Sequence, residues 1–571
     1  MKKVSGSPLP LGVTYKNGRA NFAMEVPEGK TCKLLLYRKG EASLLASYVF
    51  SDRIGSVCYM AVDGLKEEAY EYNYDIDGES VTDSYAKALS GKEVWLKNIE
   101  ISEKSKENVR GIFYEDHYDW EADQSPRIQE EELIAYAIHV RGFTKDTHSK
   151  VKNKGTFQGV IEKIPYLKDL GINQIQCMPV YEFEEAGMRV NYWGYGPGYY
   201  FAPKSAYAKD GDGVKGLKDL VKYCHKAGIE VVLEMPFAEG ISGLMVIDCL
   251  RHYVMEYHVD GFIMNPYNVP MDTILKDPIL KGVRVLRHAE EYQNVMRRFL
   301  KGDEGVVTDV MYQTRKRWDL EGIYNCITTH TGFTLKDLVS YDGKHNEANG
   351  ENNQDGPNYN YSWNCGAEGL TRKKAVLELR KNQMRNALFL LLLSQGVPCI
   401  LAGDEFANSQ KGNNNVYCQD NPIGWLNWRN LLKEQEMYQF VKQLIKFRKK
   451  YRLFHQEKEL LGIDQSGCGM PDVSYHGEMA WRASTEVASR QIGIYYSSQD
   501  KEEADCFVAY NMHWLEHEFA LPALKKGRKW YRAASTKEGI LKDLVVLENQ
   551  RNIELDEREI VVLVSGKGET V

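Results

Sequence analysis

From Glu132 to about Tyr451 the chain alternates short apolar runs with amphipathic stretches, and this rhythm constrains the fold more than any other feature. ELIAYAIHV precedes GVIEKIPYLKDLG, INQIQCMPV precedes GLKDLVKYCHKAG, and IEVVLEMPF precedes LMVIDCLRHYVMEYH. VDGFIMN follows, then GVRVLRH before EEYQNVMRRFLKG, with a short sixth unit expected around GVVTDVM. YNCITTH leads through a long loop to LELRKNQMRNALFLLLLSQG, and VPCILAGDEF with MYQFVKQLIKFRKKY ends the series. Apolar strands joined by amphipathic helices form parallel β/α units. About eight of them over roughly 320 residues predict a closed (β/α)8 TIM barrel rather than an open sheet.

At 571 residues the chain exceeds what one core can bury, so further domains are expected. Residues 1–110 read as a small β-sandwich, with strands NFAMEV, CKLLLYR, SLLASYVF, CYMAVDG and YEYNYDIDG separated by turn-forming PEGK, RKGE and DGES. Residues 111–131 form a linker, entered through the charged ISEKSKENVRG. The barrel takes 132–452, and 453–571 close the chain as a second β-sandwich with strands such as QIGIYYSS, DCFVAYNM and EIVVLVSG. The fold class is α/β: a TIM barrel flanked by an N-terminal and a C-terminal β-sandwich.

The net charge of −7 leaves no basic surplus to meet phosphates, which argues against nucleic acid as a partner. The longest apolar run, Ala387 to Leu393, is too short to span a bilayer, so no membrane role is expected. Eleven Cys show no CxxC pair and no metal-ligand spacing. They read as reduced, buried thiols of a cytoplasmic protein that uses no metal and no cofactor. MKKVSGSPLPLG has no apolar run behind its lysines and does not read as a signal peptide.

Long strings carry a family resemblance. SGSPLPLGVTYKNGRANFAM resembles the start of the N-terminal module of glycogen- and starch-processing enzymes. AYAIHVRGFTKD, NYWGYGPGYYFAPKSAYA, DLVSYDGKHNEANGENNQDG, YSWNCGAEG and AGDEFANSQKGNNNVYCQDNPIGWLNW resemble isoamylase-type glycogen debranching enzymes of the α-amylase superfamily. The resemblance implies the same three-domain architecture and hydrolysis of α-1,6 branch linkages in α-glucans. A fold does not transfer an activity, so the site decides.

A retaining glycosidase needs a carboxylate nucleophile and a second carboxyl group as acid and base, carried at the C-terminal ends of barrel strands. The family supplies the nucleophile in GFRFD, the acid in AEPW, a third carboxylate in HD, and an Asn-His pair in DVVFNH. Here GFRFD has become Gly261-Phe262-Ile263-Met264-Asn265, so a neutral amide replaces the anion and Ile263 replaces the arginine that orients it. The acid position falls on His288, with Glu290 as its rival if the alignment slips and Glu291 beside it opening the next helix. HD reads His330-Thr331. VVLEMPFAEG lacks the NHT triplet, and Ile241 runs almost directly into the next helix, which shortens a wall of the cleft.

The sugar-binding candidates are Tyr192, Trp193 and Tyr195 in NYWGY, together with His330, Trp363 and Asn364, each with packing or rim-shaping as the alternative role. Asp404 and Glu405 read as structural, and KHNEANGENNQDG as a rim loop. The expected function is a catalytically silent debranching-enzyme homologue that binds α-glucan, namely glycogen, starch or maltooligosaccharide, or that regulates an active debranching enzyme. Such an enzyme, or a second copy of the chain, is the candidate protein partner. The alternatives are an active hydrolase of α-1,6 or α-1,4 glucosidic bonds using Glu234, Glu239 or Glu290, and a structural partner that never binds sugar.

Overall fold

The computed structural model describes residues 1–67, 69–96, 109–317, 322–498, 500 and 503–567. ISEKSKEN, the charged entry to the expected linker, lies outside them. The N-terminal strands pair into two antiparallel sheets of five and six strands. Their alternating apolar positions close on one core that includes Phe22, Leu34, Leu36, Met60, Tyr72 and Phe113. Its last strand, Arg110–Ile112, pairs with Tyr70–Ile76.

The centre is a ring of parallel strands: β1 (Ala135–Ile138), β2 (Gln174–Cys177), β3 (Glu230–Glu234), β4 (Gly261–Ile263), β5 (Arg284–His288), β6 (Ile323–Tyr324) and β7 (Cys399–Leu401). They follow one another in the order β6-β5-β4-β3-β2-β1-β7. A parallel bridge between Asn325 and Pro398 joins the two ends, with Asn325 N donating to Val397 O at 2.8 Å. Helices α1 (Gly213–Lys226), α2 (Gly243–Tyr257), α3 (Glu290–Lys301), α4 (Val307–Arg315), α5 (Lys374–Leu392) and α6 (Gln435–Lys450) pack outside. The described residues thus supply a seven-strand parallel barrel. The unit expected around GVVTDVM is corrected: this stretch forms α4, whose Val307 and Val310 are buried against the core, so β5 pairs directly with β6.

The barrel interior is more polar than an aliphatic stack. Gln174, Gln176 and Glu230 are all buried within it. Gln176 Nε2 donates to Gln174 Oε1 at 3.3 Å, Gln174 Nε2 to Glu230 Oε2 at 2.9 Å, and Arg284 Nε to that same oxygen at 2.8 Å. Each buried polar atom in this ladder is paired, which removes the desolvation cost an orphan would carry.

Across the N-terminal end of the barrel runs residues 114–128, a strap held by charges. Lys218 on α1 meets Asp116, Tyr118 Oη donates to Asp219 at 2.7 Å, and Lys222 Nζ reaches Glu121 at 3.0 Å. His225 bridges Asp123 (2.9 Å) and Asp260 (3.0 Å), with all three side chains at most 3% exposed. Burial pulls the His225 pKa down, but hydrogen bonds and charge from Asp260 and Asp123 outweigh it, and the value stands above the ordinary one.

The C-terminal strands form a six-stranded antiparallel sheet and a two-stranded one, closing over Phe507, Phe519, Trp530 and Leu563. No helix among the described residues is long and apolar enough to cross a membrane.

Candidate functional site at the barrel mouth

Beyond the C-terminal ends of β3, β4 and β5 the loops leave an open cleft of about 1030 Å³. Asn265, His288, Thr331, Ile263, His330 and Tyr195 all line it. Beneath lies a pocket of about 60 Å³ whose walls add Tyr192 and Trp193, with Glu234 and His288 shared between the two. Sequence positions separated by up to 139 residues are therefore brought to one place, as the barrel's strand ends require.

Asn265 sits two residues past β4. Its Oδ1 accepts from Tyr267 N at 3.1 Å and its carbonyl accepts from Asn268 N at 3.1 Å. This is an Asx-turn, in which a short side chain caps its own backbone. Thr331 is exposed and paired with Thr329, the hydroxyls 3.2 Å apart. Ile263 ends β4 and faces both cavities.

His288 ends β5 and donates from Nε2 to Gln176 Oε1 at 3.0 Å, so the interior ladder fixes its ring. Burial lowers its pKa to about 4, against the opposing pull of Glu234. His330 is likewise held at about 4 by burial, and at neutral pH both rings are uncharged. Glu234 ends β3 with its side chain 12% exposed. Burial raises its pKa, opposed by the Tyr195 hydrogen bond and by His288. Tyr195 Oη donates to Glu234 and lies 2.6 Å from His330 Nε2, which itself stands 3.8 Å from Glu234 Oε1. A hydroxyl has one proton, so the Tyr195 oxygen accepts from a neutral His330 Nε2–H. Around the Glu234 carboxyl group the neighbouring Tyr195, His288 and His330 are all neutral at pH 7.

The NYWGY aromatics divide. Tyr195 reaches the cleft. Tyr192 is 1% exposed, with its ring 4.0 Å from His139 and its hydroxyl donating to Gly424 O at 3.2 Å, so its ring faces are covered. Gly142 makes room for it, since a Cβ there would fall 2.0 Å from the Tyr192 hydroxyl. Trp193 is also buried, edge-on to His330 at 5.0 Å. Trp363 and Asn364 are not brought to the cleft. Arg558 of the C-terminal domain lies over the Trp363 ring, 4.9 Å from its centroid, and Asn364 Nδ2 donates to Glu368 at 3.1 Å.

Glu290 and Glu291 open α3, exposed on the cleft wall where the helix dipole favours negative charge. Glu239 is exposed and outside the cleft lining. Glu405 accepts from Tyr136 Oη at 2.6 Å, and Asp404 from Leu335 N at 2.9 Å, a purely structural use of both. The rim loop around KHNEANGENNQDG is pinned by Asn414 and Asn415, which bind Asn346 and Asp355. Gln176, Tyr267 and Tyr359 belong to the mouth and were not singled out from sequence. The alternating Gln174 and Gln176 in a strand otherwise apolar are the signal that marks an interior ladder.

A parallel barrel with its cleft at the strand C-termini, set between two antiparallel β domains, defines the α-amylase class of architecture. The family model described as "Alpha amylase, catalytic domain" matches residues 137–237. Isoamylase 3, chloroplastic, of Oryza sativa subsp. japonica is 30% identical over 94% of this chain and 83% of its own length. A glycogen operon protein GlgX homolog of Haemophilus influenzae is 30% identical over 78% and 84%. Among solved structures, the catalytic module of the glycogen-degrading pneumococcal virulence factor SpuA superimposes with a TM-score of 0.76 at 17% identity, covering 98% of both chains. Pullulanase type I from Bacillus subtilis, complexed with maltose, gives 0.75 at 18%, covering 97% of this chain and 85% of its own. The chain belongs to the isoamylase-like branch of the α-amylase superfamily.

Proposed function

We infer that this protein is a catalytically silent isoamylase-like protein that binds α-glucan of the glycogen or starch kind, or regulates an active debranching enzyme. The relatives named for isoamylase, glycogen and pullulanase activities support the glucan as ligand. The observation that carries the silence is Asn265. At the strand end where the resemblance implies a nucleophile, an uncharged amide is committed to its own turn. Losing one acid–base group costs about 10²–10⁴ in rate. Here the nucleophile, acid and third carboxylate positions hold Asn265, His288 and Thr331 together. The protein works in the cytoplasm, alone, as a self-assembly or beside an active debranching enzyme.

The test pairs two assays. Reducing-sugar release from glycogen, amylopectin and pullulan stays at the buffer blank, while affinity electrophoresis in glycogen gels retards the chain. Hydrolysis above the blank refutes the silence, and unretarded migration refutes glucan binding. One observation favours the second reading, an active glycoside hydrolase on α-1,6 or α-1,4 bonds: Glu234 is a carboxyl group with a raised pKa in the cleft, beside Tyr195 and His330. Were hydrolysis seen, Glu234→Gln would abolish it under that reading.

A further inference from the structure

The cleft carries two aromatic rings that packing does not use. Tyr267 is 92% exposed and Tyr359 86%, and both line the same cavity. At that exposure neither ring adds to the core, and each leaves a flat apolar face in water.

Both stand on fixed backbone. Tyr267 follows Pro266 at the tip of the Asn265 turn, its N–H held by Asn265 Oδ1 at 3.1 Å and the turn closed by Asn268 N to Asn265 O at 3.1 Å. Tyr359 is bracketed on the rim loop: Lys344 Nζ donates to Asn358 Oδ1 at 2.7 Å, and Asn414 Nδ2 to Asn360 Oδ1 at 3.1 Å and to Pro357 O at 2.8 Å. Rings on pinned turns lose little freedom on binding, which is what a preformed recognition surface requires. The same walls offer Asn268, Asn294, Gln293 and Thr329, which pair with hydroxyls, and the carboxylates of Glu290 and Glu291, which accept from them.

We propose that Tyr267 and Tyr359 form a two-ring platform that binds a linear α-1,4-glucan segment along the cleft, with Asn265 positioning Tyr267. The inference rests on the α-glucan reading above. Flat apolar faces beside donors and acceptors suit sugar rings, which are apolar on their faces and hydroxylated at their edges. A cavity of about 1030 Å³ with a ring on each of two separate loops takes several sugar units rather than one. Asn265 thereby has a use in the turn that is independent of chemistry at a glycosidic bond.

Calorimetric titration of the full chain with maltoheptaose tests this, with cellohexaose as the control. Tyr267→Ala and Tyr359→Ala each weaken binding by about tenfold, as for an exposed anchor lost from an interface, and the double variant by about a hundredfold. Tyr267→Phe and Tyr359→Phe, which keep the ring face, bind within about twofold of the parent. Asn265→Ala weakens binding, and Asn265→Asp, which still caps the turn, restores it. Being exposed, the rings can be removed without cost to folding, and unchanged melting curves verify this. Parent-like binding by the double Ala variant overturns the platform while leaving glucan binding intact. A Phe variant as weak as its Ala counterpart overturns stacking. Equal affinity for cellohexaose overturns the α-glucan assignment. A parent chain that binds no glucan overturns both this inference and the reading beneath it.

Discussion

Acidification from pH 7 to pH 5 strikes the barrel mouth through its histidines. His139, His288 and His330 each stand at about 4, with burial as the first cause. A histidine in an unfolded chain titrates near 6.5. A depressed folded pKa contributes stability above the unfolded value and loses it as pH falls toward the folded one, because the unfolded chain takes up the proton first. At pH 5 each ring therefore costs about 2 kcal/mol relative to pH 7, and the three together about 6 kcal/mol, a large share of a domain's stability. Glu234, with its pKa raised, acts in the opposite sense and regains stability as it protonates. Other buried histidines, such as His252 at about 3, add to the total with the same sign, so the total is not diagnostic. The difference between variants is. Urea unfolding of the parent, His288→Gln and His330→Gln at half-unit steps from pH 7 to pH 5 gives stability against pH. Each variant flattens the slope between pH 5 and pH 6 by about 1.4 kcal/mol per pH unit, one proton's worth. An unchanged slope in either variant refutes the assignment of that ring as buried and neutral.

Three further outcomes follow from the same structure. Asn265→Asp restores a carboxylate to the strand end but yields no reducing sugar from branched glucan above the blank, since its oxygen caps Tyr267 N and His288 stands at the acid position. Removing the imidazole in His225→Ala leaves Asp123 and Asp260 buried without their bridge and lowers stability by about 3–5 kcal/mol in urea unfolding. In the parent, the stability His225 contributes is complete below about pH 6.5 and declines as pH rises through its raised folded value, so the gap between parent and His225→Ala narrows in alkaline unfolding series. Gly142→Ala drives a methyl group into the Tyr192 hydroxyl, breaks its bond to Gly424 and costs about 1–3 kcal/mol, read as a lower melting temperature.

The barrel was legible because its strands and helices differ in period, and most segments from ELIAYAIHV to MYQFVKQLIKFRKKY carry that difference. GVVTDVM misled because a short run of Val and Thr favours a strand locally, whereas its Val307 and Val310 lie three apart and pack as one helix face. At the mouth, Asn265, His288 and His330 were legible through the family motifs they replace, and the fold brings all three to one cleft. What pattern cannot supply is direction. Tyr192 and Tyr195 are neighbours in one motif, yet one ring is sealed against His139 and the other meets Glu234, a difference set by loops more than 200 residues away, such as that of Gly424. Trp363 was expected at the sugar site but is taken by Arg558, whose approach depends on the C-terminal domain. Within the expected linker, the fold sets the charges of Asp116 and Glu121 against Lys218 and Lys222 of α1, a pairing that sequence alone does not reveal.

That strap also determines where the polypeptide can be cut. A barrel begun at Glu132 would lose Asp116, Glu121 and Asp123 at a stroke, leaving Lys218 and Lys222 without their counterions and His225 with Asp260 alone. Such a fragment exposes a cationic scar that the intact chain never presents. A workable excision keeps residues 114–131 attached to the barrel and leaves Phe113 to the N-terminal core, so the seam between the first two lobes falls ahead of the strap rather than behind it.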